Sequence, residues 1–152
     1  MAARSAEAAP VALDTSCLVA LVSAWHEHHD VTIESLERRL RAGATMVVAA
    51  HALAEAYAVL TRLPAPNRLS ANDAVEVLRE NFEKHARTVS LDADEYWSLL
   101  RAAPAASVYG GRIYDAVIAA CARKAKAREL LTWNRKHFEL FADGSLVVAS
   151  PA

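Results

Sequence analysis

Three widely separated acidic residues of this 152-residue chain have apolar or small neighbours. They are Asp14 in Val-Ala-Leu-Asp-Thr-Ser, Glu55 in Ala-Leu-Ala-Glu-Ala-Tyr and Asp115 in Arg-Ile-Tyr-Asp-Ala-Val. Singly, they can be a helix N-cap, a charge on an exposed helix face and a first-turn charge that favours the helix dipole. Together, carboxylates about 4 Å apart repel by roughly 4 kcal/mol per pair at an effective dielectric constant near 20. A site containing all three therefore needs a cation.

Carboxylate oxygens without His or thiolate ligands suit Mg²⁺ or Mn²⁺. Mg²⁺ usually takes one or two carboxylates, keeps several waters and leaves room for a substrate phosphate. Such an ion makes hydroxide available for attack and neutralises charge on the phosphate and the leaving oxygen. The three acids therefore predict phosphodiester hydrolysis.

The segments around these acids alternate between strand and helix patterns. Five short apolar runs predict strands at 11–13, 45–49, 88–91, 129–133 and 146–149. Apolar residues at helical spacing predict helices between them, including 16–23, 31–41, 50–62 and 112–127. This order is typical of an α/β fold with a mostly parallel central sheet of about five strands, flanked by helices. Such sheets bind ligands at the carboxyl ends of their strands, where Asp14 and Asn134 are placed.

Two helices carry specific packing predictions. Leu53, Tyr57 and Leu60 share one face of the helix that contains Glu55. In the helix that follows the predicted cap Asp92, the buried face is expected to contain Tyr96, Leu99 and Leu100.

Length and composition predict a single domain over residues 1–152, because a chain that is 54% hydrophobic can bury a substantial core. Residues 1–10 are interpreted as a flexible N-terminal tail. No stretch approaches the roughly 18 apolar residues of a membrane span, and a cytoplasmic protein is expected. Cys17 and Cys121, 104 positions apart in apolar helical runs, are interpreted as buried structural thiols.

A net charge of −1 argues against a protein that coats nucleic acid through charge alone. The charge is uneven, however, with seven basic and two acidic residues between Arg112 and Lys136. Arg112, Arg135 and Lys136 are closest in sequence to the predicted site, and we expect them to contact phosphate. Trp133 could stack on a nucleobase or pack in the core.

Four stretches that together span nearly the whole chain resemble the PIN-domain ribonucleases, and among them the VapC-type toxins of bacterial toxin–antitoxin pairs. These stretches are residues 11–16, the helix that carries Glu55, residues 110–120 and residues 130–138. The resemblance implies a PIN-like three-layer fold and an Mg²⁺-dependent endoribonuclease. It also implies a homodimer and a small antitoxin protein that blocks the cleft.

The resemblance assigns roles residue by residue. Asp14 and Asp115 are the implied metal ligands, and Glu55 is a further ligand or orients the attacking water. Asn134 stands where many relatives carry a fourth acid; its amide can offer an oxygen but no charge, so one metal is expected rather than two. The hydroxyls expected to orient the carboxylates or waters belong to Thr15, Ser16 and Thr132.

Two other functions remain open. A phosphotransferase or phosphatase would use Asp14 as its nucleophile, but such folds usually need a second Asp where this chain has Ser16. A PIN-like module could instead bind RNA with weak or no cleavage, and Asn134 is the only hint of that.

The His-rich segment Trp25-His-Glu-His-His29 lacks a helical i, i+4 pair with a third ligand nearby, so no zinc site is expected there. Its His28 and His29 could contact RNA or a partner chain. His51 and His137 are interpreted as packing or surface residues.

Overall fold

The central sheet has five strands, all parallel, in the order β3-β2-β1-β4-β5. The computed structural model describes residues 9–152, so the first eight residues of the predicted tail lie outside the described part. The strands are β1 (Val11–Leu13), β2 (Met46–Ala49), β3 (Ala86–Val89), β4 (Glu129–Leu131) and β5 (Val147–Ala149). The predicted α/β fold is confirmed, although β3 begins two residues before the predicted strand.

Helices connect the strands. They are α1 (Thr15–Val22), α2 (His29–Arg41), α3 (Ala50–Arg62), α4 (Ala71–Leu78), α5 (Ala93–Ala102), α6 (Arg112–Lys124) and the short α7 (Arg135–Phe138). A π-helical turn at Arg79–Glu83 follows α4, and a 3₁₀ turn at Glu139–Phe141 follows α7. The helix α6 ends three residues before its predicted end, and Lys126 just beyond it takes a positive φ of 59°.

The centre of the sheet is covered on both faces. Every residue of β1 and β2 is buried, which is the pattern of parallel strands between two layers of helices. The edge strands β3 and β5 keep exposed residues. Both cysteines are buried thiols, as predicted. No helix among residues 9–152 is long and apolar enough to cross a membrane.

The prediction that Tyr96, Leu99 and Leu100 form a buried face of α5 is wrong. Tyr96 is 39% and Leu100 46% exposed, their neighbour Trp97 is 60% exposed, and only Leu99 is partly buried against the core. Apolar spacing identifies a helix face but not the element that covers it. Within the described part of the chain, α5 packs mainly against α6 and leaves this face open.

The predicted face of α3 needs a similar correction. Its buried residues are Ala52, Ala56 and Leu60, whereas Tyr57 is exposed and Leu53 is only partly buried. Small side chains face inward because α3 packs closely against α1.

The register of the sheet determines where the site forms. Leu13 of β1 pairs with Leu131 of β4, so the next residues along each strand, Asp14 and Thr132, are level with each other. The Asp14 N–H continues the ladder by donating to the Leu131 carbonyl at 3.1 Å. The chain moves from β1 to β2 and β3 on one side, and to β4 and β5 on the other. The β1–β4 boundary is therefore the topological switch point at which such sheets bind ligands.

The close approach of α3 to α1 generates a stability prediction. Ala56→Leu should lower the free energy of unfolding by about 1–3 kcal/mol, because the added methylenes have no space in a packed core. Urea unfolding measures the change. Ala58→Leu, on the exposed face of the same helix, is the matched control and should change it by less than about 0.5 kcal/mol. Equal effects of the two substitutions would contradict this packing.

Candidate active site

Asp14 lies at the base of the candidate site. It follows β1, is 2% exposed and caps α1, because its Oδ1 accepts hydrogen bonds from the Cys17 N–H at 3.0 Å and the Ser16 hydroxyl at 2.6 Å. Its Oδ2 accepts from the Thr132 hydroxyl. Asp14 is thus an N-cap, and the same carboxylate also faces the cleft.

The hydroxyls around Asp14 extend this network to β4. Ser16 Oγ accepts from the Trp133 N–H at 2.9 Å, and Thr132 Oγ1 accepts from the Asn134 N–H at 2.9 Å. Each hydroxyl therefore donates to Asp14 while it accepts from the chain that leaves β4. The two segments that end at the switch point are held together through this one carboxylate.

Glu55 projects from the second turn of α3. Its Oε1 accepts a hydrogen bond from Thr15 Oγ1 at 3.2 Å. His51, one turn earlier, places Nε2 3.2 Å from the same oxygen, but the ring N–H is not aligned with it. This buried Nε2 has no hydrogen-bond partner among the described residues. The His51 ring stacks on Tyr114, with centroids 5.2 Å apart.

Asp115 lies in the first turn of α6, as predicted. Burial raises the pKa of its carboxyl group. His137, whose Nδ1 lies 3.9 Å from Asp115 Oδ2, opposes that increase, whereas Glu55 and Asp14 raise the pKa further. Asp115 thus lies close enough to Glu55 and Asp14 for their charges to affect its pKa.

All four predicted catalytic residues line one cleft of about 450 Å³. The walls also contain Thr15 and Ser16, together with Val19, His26, Glu27, His28, Val59, Ile118, Trp133 and Phe138. The structure therefore brings Asp14, Glu55, Asp115 and Asn134 together, although their catalytic roles stay predictions.

The donor set fits a hard divalent cation. Three acidic residues and Asn134 line the cleft. Their side chains can offer carboxylate and amide oxygens, and oxygen is the ligand that Mg²⁺ and Mn²⁺ prefer. Among residues 9–152, no three Asp, Glu, His or Cys side chains lie close enough together to enclose an ion. An ion here would take part of its coordination from water or substrate phosphate, as Mg²⁺ usually does.

The predicted phosphate contacts lie outside the described lining of the cleft. Arg135 is exposed and 3.6 Å from Glu139, and Lys136 is exposed. Arg112 is partly buried and close enough to Asp115 to lower the pKa of that carboxyl group. Contact between these residues and RNA remains a prediction.

Sequence reasoning did not assign several residues to this site. His26, Glu27 and His28 line the cleft, and of these only His28 had been considered for contact with RNA. His51 and His137, interpreted as packing or surface residues, contact Glu55 and Asp115. The helical spacing of His51 and Glu55 was the only available signal for one of these contacts.

Asp14 generates a prediction about stability. Burial raises the pKa of Asp14, although hydrogen bonds from Ser16, Thr132 and Cys17 oppose the shift. The folded state thus retains this proton to higher pH than the unfolded state, and stability falls as pH rises through the Asp14 titration. In EDTA at pH 7, Asp14→Asn should raise the melting temperature, and this advantage should shrink as the pH is lowered.

Asp143 provides a control of opposite sign. Hydrogen bonds from the Ser145 hydroxyl and N–H, with others from Leu146 and Arg123, hold the pKa of Asp143 well below its usual range. Asp143→Asn should therefore lower the melting temperature at pH 7, with a smaller effect in acid. Destabilisation by Asp14→Asn at pH 7 would contradict the proposed burial cost.

Comparisons with known proteins show which family has this sequence. The PIN domain family model matches residues 11–143. Ribonuclease VapC40 of Mycobacterium tuberculosis is 36% identical over 131 residues, which cover 86% of this chain and 91% of that protein. Ribonuclease VapC27 of the same organism is 36% identical over 123 residues, which cover 81% of this chain and 83% of that protein.

The fold also matches that of a solved complex. In the crystal structure of VapBC2 from Rickettsia felis bound to a DNA fragment from their promoter, the matching chain has a TM-score of 0.64 at 19% identity. The match covers 92% of this chain and 97% of that one. From the extent of the family match and the identity to two VapC ribonucleases, we conclude that the chain belongs to the PIN-domain family and, within it, to the VapC-type toxins.

Proposed function

We propose that this chain is an Mg²⁺-dependent endoribonuclease, able to use Mn²⁺, and the toxin of a toxin–antitoxin pair. The gathering of Asp14, Glu55 and Asp115 in one cleft at the switch point carries the proposal. The two relatives that are 36% identical are ribonucleases, which supports RNA as the substrate.

Asp14 and Asp115 would hold the cation, with Glu55 as a further ligand or the group that orients water. Burial raises the pKa of both aspartates, so bound positive charge would favour their ionised forms. When bound, Mg²⁺ would supply hydroxide near neutral pH and neutralise charge on the phosphate. Asn134 adds an oxygen without a charge, which supports one cation rather than two.

The chain's own groups would position the reaction. Ser16 and Thr132 fix Asp14 through their hydroxyls, and Thr15 holds one oxygen of Glu55. The other oxygen of Glu55 would then orient the water that attacks phosphorus. Arg112, Arg135 and Lys136 would contact the RNA backbone beyond the cleft.

A second function, RNA binding with weak or no cleavage, is favoured by one observation. Asn134 is a neutral residue on the cleft wall, so this wall carries less negative charge for a cation. The cleavage assay described below separates the two functions.

We also propose an antitoxin partner, which membership in the VapC-type toxins supports. A small protein encoded beside this chain would cover the cleft and exclude RNA from the acids. The toxin would then act in the cytoplasm only when the antitoxin is lost.

We also propose a homodimer, supported by the open face of α5. Tyr96, Trp97 and Leu100 form an exposed apolar surface beside an apolar pocket of about 220 Å³ between α5 and α6. Burial of this face against a second copy would remove apolar area from water.

The first functional prediction concerns the acids. Purified protein should cleave total RNA with Mg²⁺ and not with EDTA. Asp14→Asn and Asp115→Asn should each lower the rate by at least about 100-fold, the scale of a lost catalytic group. Equal cleavage by the wild type and both variants would reject the metal mechanism, and no cleavage by the wild type would favour the binding function.

Thr132 tests the positioning of Asp14 without removing an acid. Thr132→Val keeps the shape of a fully buried side chain but removes the hydroxyl, and should lower cleavage by about 10- to 100-fold. Thr132→Ser keeps the hydroxyl and should restore most of the rate. A raised Mg²⁺ requirement in Thr132→Val alone would separate positioning of the ligand from general loss of structure.

The antitoxin prediction uses the gene encoded beside this one. Co-purification with its product should suppress cleavage, and proteolysis of that partner should restore it. An unchanged cleavage rate in the complex would reject this role for the neighbouring protein.

A further inference from the structure

Four rings form a ladder along one side of the cleft. Trp133 and His28 stack face to face, with centroids 3.7 Å apart and planes 9° apart. His26 follows His28 at 5.6 Å, and Trp25 follows His26 at 5.6 Å, both with tilted planes. The ladder runs from Trp133, beside Asn134, to Trp25, which is 49% exposed. Its inner three members line the cleft that contains the acids.

Hydrogen bonds hold the inner end in place. The Trp133 indole N–H donates to Thr32 Oγ1 at 2.8 Å, and the Trp133 backbone N–H donates to Ser16 Oγ, which also bonds Asp14. The His28 N–H donates to His26 Nδ1 at 3.1 Å. A ligand that stacks on these rings would therefore meet surfaces that are already ordered, at a distance from Asp14 set by Ser16.

The charge of the cleft adds a second constraint. None of the described residues that line it is Lys or Arg, whereas four are acidic: Asp14, Glu27, Glu55 and Asp115. Burial lowers the pKa of His26, and His28 lowers it further, which favours the neutral form of this ring. Apart from a bound cation, the cleft wall thus offers RNA aromatic surface rather than positive charge.

Building on the proposed function, we propose that Trp25, His26, His28 and Trp133 form a stacking subsite for an unpaired nucleobase next to the scissile phosphate. Every base has a flat π-face, so the ladder would accept any of the four bases and reject paired ones. Base pairing hides these faces, and the enzyme would therefore select loops and single strands. The ring residues position the substrate and take no part in proton transfer.

A binding experiment separates stacking from cleavage. The full chain carrying Trp97→Phe retains two of its three tryptophans, Trp25 and Trp133, as fluorescence reporters in the ladder. This protein is titrated in EDTA with a single-stranded RNA 10-mer, with the same 10-mer containing abasic riboses, and with its duplex. We expect the intact single strand to quench the tryptophan fluorescence. Its Kd should be about tenfold lower than that of the abasic strand or the duplex, on the scale of one stacked base.

Variants in the same background locate the effect. His28→Ala should weaken binding of the intact strand about tenfold and leave the abasic strand unchanged, whereas His28→Phe should stay within about twofold of the parent. His85→Ala, an exposed histidine outside the cleft lining, is the matched control and should change neither. Melting curves show whether each variant is folded.

The outcomes distinguish this inference from the proposed function. Equal affinity for intact and abasic strands, or equal weakening of both by His28→Ala, would overturn the stacking subsite even if the protein cleaves RNA. Base-dependent binding without any cleavage would reject the endoribonuclease and keep the subsite. Tighter binding of the duplex than of the single strand would also overturn the proposal.

Discussion

The buried carboxylate of Asp14 is the constraint on which the site depends. Burial of a charge is costly unless hydrogen bonds replace its water. Two hydroxyls and one backbone N–H do so only in part here, because burial still raises the pKa of Asp14. Those same bonds cap α1 and connect β1 to the chain that leaves β4. Removal of the charge would therefore relieve the fold, while its retention keeps an anion at the switch point. This conflict between stability and chemistry is typical of functional sites.

The cleft has two different walls. Glu55 and Asp115 on α3 and α6 provide the acidic wall, and the Trp25-to-Trp133 ladder provides the aromatic one. The two meet at Ser16, whose hydroxyl contacts both Asp14 and the backbone of Trp133. A shift of β4 relative to β1 would thus displace a candidate metal ligand and the stacking surface together. The basic residues nearby in sequence lie outside this lining. In the proposed function, RNA would therefore be held by a cation, by base stacking and by more distant charges.

One helix on the outer surface of the fold, α5, leaves apolar side chains exposed to solvent. The apolar residues of α5 have the spacing of a buried helix face, yet Tyr96, Trp97 and Leu100 remain exposed. An apolar face of this kind is compatible with assembly, and the proposed homodimer would cover it. In the proposed function, the carboxyl ends of the strands would carry the chemistry, and the exposed face of α5 would serve association.

Local patterns in the sequence were sufficient for the α/β class, the central strands and the position of Asp14 at a strand end. Those features depend on the periodicity of apolar residues, which is a property of short stretches of chain. The helical spacing of His51 and Glu55 was an available signal for their contact, but the contacts of His137 with Asp115 and His28 with Trp133 required the tertiary structure. The exposure of the apolar face of α5 also required it, because the spacing of apolar residues on a helix does not specify which element packs against them. Such contacts depend on how helices pack across the sheet, because that packing brings together residues whose separation in sequence carries no signal.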